Sequence, residues 1–142
     1  MSIDCRTRRH LERRELERDE VFDALIPEAI DRHGELAARG LDYKDLPSLG
    51  LRVEGRSVTL RAEGGRVRLD DGERSDGLIA ELAPDALSGL VQDWKTTMGL
   101  AMTSQVSIRQ GDFGHWVGWE PVFRALLDGR PVHEAGAIDF KD

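Results

Sequence analysis

The chain has 142 residues, a net charge of -7 and a sequence pI near 5.1, with 39% hydrophobic and 33% charged residues. That length fits one domain with a core of its own, and the acidic balance argues against a partner with a phosphate backbone. The lone cysteine, Cys5, leaves no internal disulfide and no thiolate zinc cage, and no apolar run approaches the ~20 residues of a membrane helix.

The start, Met1-Ser2-Ile3-Asp4-Cys5-Arg6, lacks the apolar stretch of a secretory signal, so the expectation is a cytoplasmic protein without integral membrane contact. Arginine is heavily preferred over lysine, which occurs only at Lys44, Lys95 and Lys141, as in chains from high-G+C bacterial genomes. Residues 1–18 read as a charged helix or arm: from residue 6 to 20 only Leu11 and Leu16 are apolar, and Arg8/Glu12 and Arg13/Glu17 stand four apart.

From Asp19, a plausible N-cap, Phe22, Ile26, Ala29, Ile30, His33 and Ala37 recur at helical spacing. Pro27 is expected to kink or restart this helix and Gly40 to stop it. The period then becomes two. Leu51 and Val53, then Val58, Leu60 and Ala62, then Val67 and Leu69 alternate with polar residues, with turns expected at Gly55-Arg56 and Gly64-Gly65. After a polar loop over 70–77, Leu78 to Leu82 reads as a fourth strand. Pro84 suits the first turn of a helix carrying Leu87, Leu90, Val91 and Trp94. Thr97, Met98, Leu100 and Met102 form a second helical stretch, and Val106 and Ile108 a fifth strand closed by Gly111-Asp112. The last apolar block, Phe113 to Leu127, is expected to split at Pro121 into two short helices. Gly129-Arg130-Pro131 is a stop, and 131–142 reads as tail or linker. The order predicts an α+β fold: a five-stranded, mainly antiparallel sheet with helices packed on one face.

The run from Asp76 to Val91, then Gly99 to Met102 and Gln105 to Asp112, resembles the sterol carrier protein 2 (SCP2) family, and the element order over 19–130 is similar. More narrowly, Val91 to Leu100, Gly111-Asp112-Phe113, Trp119 to Gly136 and Ile138-Asp139-Phe140 resemble bacterial SCP2-like domains that precede an oxygenase domain of the phytanoyl-CoA dioxygenase family. This chain ends where that oxygenase would begin, so its iron chemistry is not carried over. The resemblance implies an apolar cavity between sheet and helices, without a cofactor, sheltering a lipid, fatty acyl, acyl-CoA or polyketide-like molecule. It implies a carrier or accessory module for a bacterial pathway enzyme, with a separate oxygenase as a possible partner.

The candidate ligand-binding residues are Leu87, Leu90, Val91 and Trp94 on one helix, Met98 and Met102 on the next, and Phe113, Trp116, Trp119 and Phe123 on the last two. Aromatic and methionine side chains suit an apolar pocket, although each of these also suits plain core. Two alternatives stay open. A small cyclase or isomerase would use Asp112 and His115 as an acid-base pair, whereas Asp112 as a helix cap is the plainer reading. An interaction domain would fill its core with its own side chains. His10/Glu12 and His33/Glu35 have the His-x-acid spacing of an iron site, but both read as helical, and no metal site is expected. His133 near Glu134 looks ordinary, and Cys5 has no evident base.

Overall fold

The computed structural model describes residues 14–132. Cys5, the Arg8/Glu12, Arg13/Glu17 and His10/Glu12 pairs, and the tail from His133 onward lie outside the described residues.

Residues 14–17 are not helical. Their backbone is tied across to a later helix: Leu16 N–H donates to Ser88 Oγ at 2.9 Å, and Gln92 Nε2 donates to Arg14 O at 2.7 Å. The first helix, α1, runs without a break through Arg18–Glu20, Val21–Leu25 and Ile26–Lys44, the middle stretch being π-helical. Pro27 explains that stretch. Its ring crowds the carbonyl four residues back and it has no N–H to give. The helix does not kink or restart; it widens, with Ile26 N–H reaching Val21 O five residues back. Two further expectations are corrected here. Glu17, not Asp19, stands at the N-cap; Asp19 lies in the first turn and pairs with Arg56 at 2.8 Å. Gly40 does not stop the helix, which runs on to Lys44 and ends at Asp45 in the left-handed region, φ 52°. Gly40 is a contact point instead: a Cβ there would lie 2.5 Å from Val132 Cγ2.

Strands β1 (Leu49–Val53), β2 (Arg56–Glu63) and β3 (Arg66–Asp71) form the expected meander. The first turn sits one residue earlier than expected, at Glu54 and Gly55, both at positive φ (46° and 79°), as in a type I′ turn. Arg56 therefore opens β2. It stacks over the Phe22 ring and pairs with Asp23, which fastens the π-helical stretch to the hairpin. After β3 the chain crosses the outer face of the sheet: Thr59 Oγ1 donates to Gly72 O at 2.7 Å, and Arg52 pairs with Glu73 at 2.6 Å. Strand β4 (Leu78–Leu82) then enters parallel to β1, and β5 (Val106–Gln110) pairs antiparallel with β4. The sheet order is β3-β2-β1-β4-β5, so one parallel pair lies among three antiparallel ones.

The sheet has one apolar and one charged face, as the alternation requires. Leu49, Leu51, Val58, Leu60, Leu78 and Ala80 are buried beneath the helices. On the outer face Arg61 pairs with Asp70, and Glu81 with both Arg52 and Arg109. The covering layer is α1 with α2 (Pro84–Val91), α3 (Thr97–Met102), α4 (Phe113–Gly118) and α5 (Glu120–Asp128). Pro84 opens α2, and the last block divides at Trp119, just before Pro121, both as expected.

A buried cation locks this layer. Arg124 on α5 lies 3.3 Å from Glu120 and Asp128 and 3.5 Å from Asp93, and donates to Leu90 O at the end of α2. Arg130 joins Asp93 and Asp128, each at 3.2 Å. Burial lowers the pKa of Arg124, against the opposing pull of Glu120, Asp93 and Asp128. Replacing Arg124 by Met leaves buried carboxylates without their cation, so urea unfolding is expected to show a loss of about 3–5 kcal/mol.

The Glu73 carboxyl is held down to about 2, from 4.5, by hydrogen bonds from Arg52 and Ser57. A depressed carboxylate stabilises the fold fully above its unfolded value and loses that contribution as pH falls through the folded one. The stability gap between wild type and Glu73→Gln is therefore expected to be constant above about pH 4.5 and to close by about pH 2. Urea midpoints taken across that range test it; a gap independent of pH contradicts it.

Candidate functional site

Three consecutive elements, α3, β5 and α4, close on themselves. Residues 103–105 lead from α3 to β5, and Gly111-Asp112 leads from β5 to α4. The end of α4 then returns to the start of α3: Trp116 Nε1 donates to Thr97 O at 2.9 Å, and Thr97 Oγ1 to Val117 O at 3.4 Å. Glu120, first residue of α5, accepts from Thr97 N–H at 2.8 Å. Thr96 caps α3 by accepting from Gly99 N–H at 2.9 Å.

Inside this triangle the helix-facing side of the sheet is incompletely covered. Val106 and Ile108 stand beside Leu82 and Ala80 on the apolar face, yet both remain half-exposed, because β5 is the edge strand. Ala101 on α3 and Val117 on α4 are half-buried beside them, and Met98 on α3 is 44% exposed. Leu100 and Trp116 are fully buried below. These side chains present hydrocarbon and sulfur to the opening and no charge. Such a surface can take up an apolar body by burial but offers no group for proton transfer.

The structure divides the ten candidate ligand-binding residues. Leu87, Leu90, Val91, Trp116, Trp119 and Phe123 are buried in the packed core. There, Trp116 and Phe123 meet edge to face with centroids 6.3 Å apart, and Trp119 donates from Nε1 to Pro47 O at 3.1 Å. Trp94 is half-buried. Met98, Met102 (76% exposed) and Phe113 (49% exposed) reach the surface on α3 and α4. Val106, Ile108, Ala101 and Val117 were not singled out from the sequence. Alternation shows that Val106 and Ile108 share a face, but not that their strand ends the sheet.

Asp112 and His115 do come together, on an open hollow of about 560 Å³ also lined by Pro47, Asp76 and Leu78. Asp112 Oδ1 accepts from Gly114 N–H at 2.7 Å, so its carboxylate serves as the N-cap of α4. His33 sits on α1 against Gly129, where a Cβ would come 2.7 Å from its ring. Among the described residues no three His, Cys, Asp or Glu side chains gather so as to hold a metal ion, and no helix is long and apolar enough to cross a membrane.

No protein-family model matches the chain, and no curated protein matches it. Solved structures do. Sterol carrier protein 2 from Yarrowia lipolytica, in its apo form, is similar at a TM-score of 0.60 and 13% identity, over 76% of this chain and 90% of that one. The solution structure of a conserved hypothetical protein from Thermus thermophilus, possibly a sterol carrier protein, is similar at a TM-score of 0.57 and 15% identity, over 80% of this chain and 89% of that one. The chain has the SCP2 fold. At these identities the likeness concerns the fold, and the expected α+β architecture is the one observed.

A capping role for Asp112 has a measurable signature. Asp112→Ala is expected to lower stability by about 1 kcal/mol and Asp112→Asn by much less, because the amide oxygen still accepts the Gly114 N–H. Equal losses in thermal melts of the two variants contradict it.

Proposed function

We propose that this domain binds an apolar small molecule, of the lipid, fatty acyl, acyl-CoA or polyketide-like class, through the opening bounded by α3, β5 and α4. The observation that carries the reading is the pair Val106 and Ile108, left half-exposed on the otherwise covered face of the sheet and flanked by Ala101, Val117 and the exposed Met98. The likeness in fold to a sterol carrier protein supports it. The ligand is gripped by burial, at about 25 cal/mol per Å² of apolar surface removed from water. The core residues Leu87, Leu90, Val91, Trp116, Trp119 and Phe123 meet it only when the helix layer parts. In this role the domain is a cytoplasmic carrier or accessory module that presents its cargo to a bacterial pathway enzyme, such as a separate oxygenase.

A second reading rests on the closure of that core. With those six residues already packed on one another, the domain serves as an interaction module with a self-filled interior.

Titration with a fluorescent polyene fatty acid separates the two. The carrier reading expects saturable binding, weakened about tenfold by Met98→Lys, the cost of removing roughly one apolar contact surface from the ligand. Because Met98 is 44% exposed, its melting temperature is expected to stay unchanged. Absence of saturable binding, together with a native mass spectrum free of co-purified lipid, leaves the interaction reading.

A further inference from the structure

The two edges of the sheet are built differently. The outer edge of β3 carries Arg66, Arg68, Asp70 and Asp71, and Arg66 is tied to α1 through Ile30 O at 2.8 Å. Those charges and that tie are devices that keep an edge from pairing. Strand β5 has neither. Its sequence is Val106-Ser107-Ile108-Arg109-Gln110, without proline, lysine or an inward-pointing charge, and among the described residues no strand pairs with its outer side. The two most exposed large apolar side chains flank it. Met102 ends α3 four residues before Val106, and Phe113 opens α4 three residues after Gln110.

We infer that the free edge of β5 is the contact surface for a second copy of this chain, the two β5 strands pairing antiparallel across a two-fold axis at Ile108. Such a contact must be self-complementary, and this strand is. Pairing about Ile108 uses all five residues, sets Val106 opposite Gln110, and keeps the apolar side of both sheets on one surface. On the outer side Ser107 falls opposite Arg109 of the second copy, so the two Arg109 cations are not opposed. Glu81, the neighbour of Ser107 within its own sheet, already accepts from Arg109 Nε at 2.7 Å, so carboxylates line the row in which the cations lie. Antiparallel pairing also brings the start of one β5 beside the end of the other, which carries Met102 of one copy toward Phe113 of the second. A thioether against an aromatic ring is a favourable contact, and it occurs twice across the axis.

Sedimentation over a wide concentration range tests the pairing. The wild type is expected to form a concentration-dependent dimer. Ser107→Arg faces Arg109 of the second copy with a like charge at two symmetry-related places, and is expected to raise the dimer dissociation constant about tenfold. Met102→Lys, on the same contact, is expected to do likewise. Ser107 and Met102 are both exposed, so circular dichroism melts are expected to match the wild type, and fatty acid binding by Ser107→Arg to be retained. A protein that stays monomeric at its solubility limit, or a dimer indifferent to Ser107→Arg, overturns the proposal whatever the outcome of the ligand titration.

Discussion

The helix layer is held over the sheet by one buried guanidinium. Arg124 has left water, and a buried cation is tolerated only when paired on several sides. Its partners come from separate parts of the chain: Leu90 O closes α2, Asp93 stands in the turn after it, and Glu120 and Asp128 lie a turn away on α5 itself. Glu120 also accepts the first N–H of α3, so the network fixes where that helix begins. Asp93 shows how firmly the arrangement is set. It holds a left-handed φ of 62° without being glycine, with its carboxylate on Arg124 and Arg130. Strain of that kind persists only where the surroundings over-determine it.

That lock also decides which part of the sheet goes uncovered. Helix α1 lies on β2 and β3 and against α5, and α4 reaches β4. Strand β5 is left with α3, which has six residues. The same shortfall therefore produces two features: an apolar opening on the helix side of β5 and an unpaired backbone along its outer side.

Much of this was legible from residue pattern. Period-two alternation marks every strand, Pro84 and Pro121 open helices, and Asp112 is recognisable as a cap because its short carboxylate follows a turn glycine. What escaped the pattern depended on neighbours distant in sequence. Gly40 reads as a helix stop until Val132 lies over it, and Pro27 reads as a break unless the preceding turn can widen. A parallel pairing of β1 with β4 leaves no trace in either strand, since buried strands of both kinds are simply apolar. Arg124 looks like the polar residue of an amphipathic helix; only the convergence of three carboxylates makes it interior. The candidate site was legible as chemistry rather than as place. Aromatic and methionine side chains do gather in the C-terminal half, but whether each faces the core or the surface depends on helix docking.

The way the layer is fastened indicates where it can part. Moving α5 breaks the Arg124 cluster, and moving α1 breaks the Arg56 contacts with Phe22, Asp19 and Asp23. Helix α3 is fastened more lightly, by Thr97, by the bond from Lys95 Nζ to Gln105 Oε1 at 2.8 Å, and by one fully buried large side chain, Leu100. A helix this short has little stability of its own, so docking alone maintains it. Exposing Leu100 costs about 1.5–3 kcal/mol, which an acyl chain repays by burying roughly 100 Å² of apolar surface. The route from the opening at Val106 and Ile108 toward Trp116 and Phe123 therefore runs under α3, the one element of the layer whose displacement leaves the charge network's core intact.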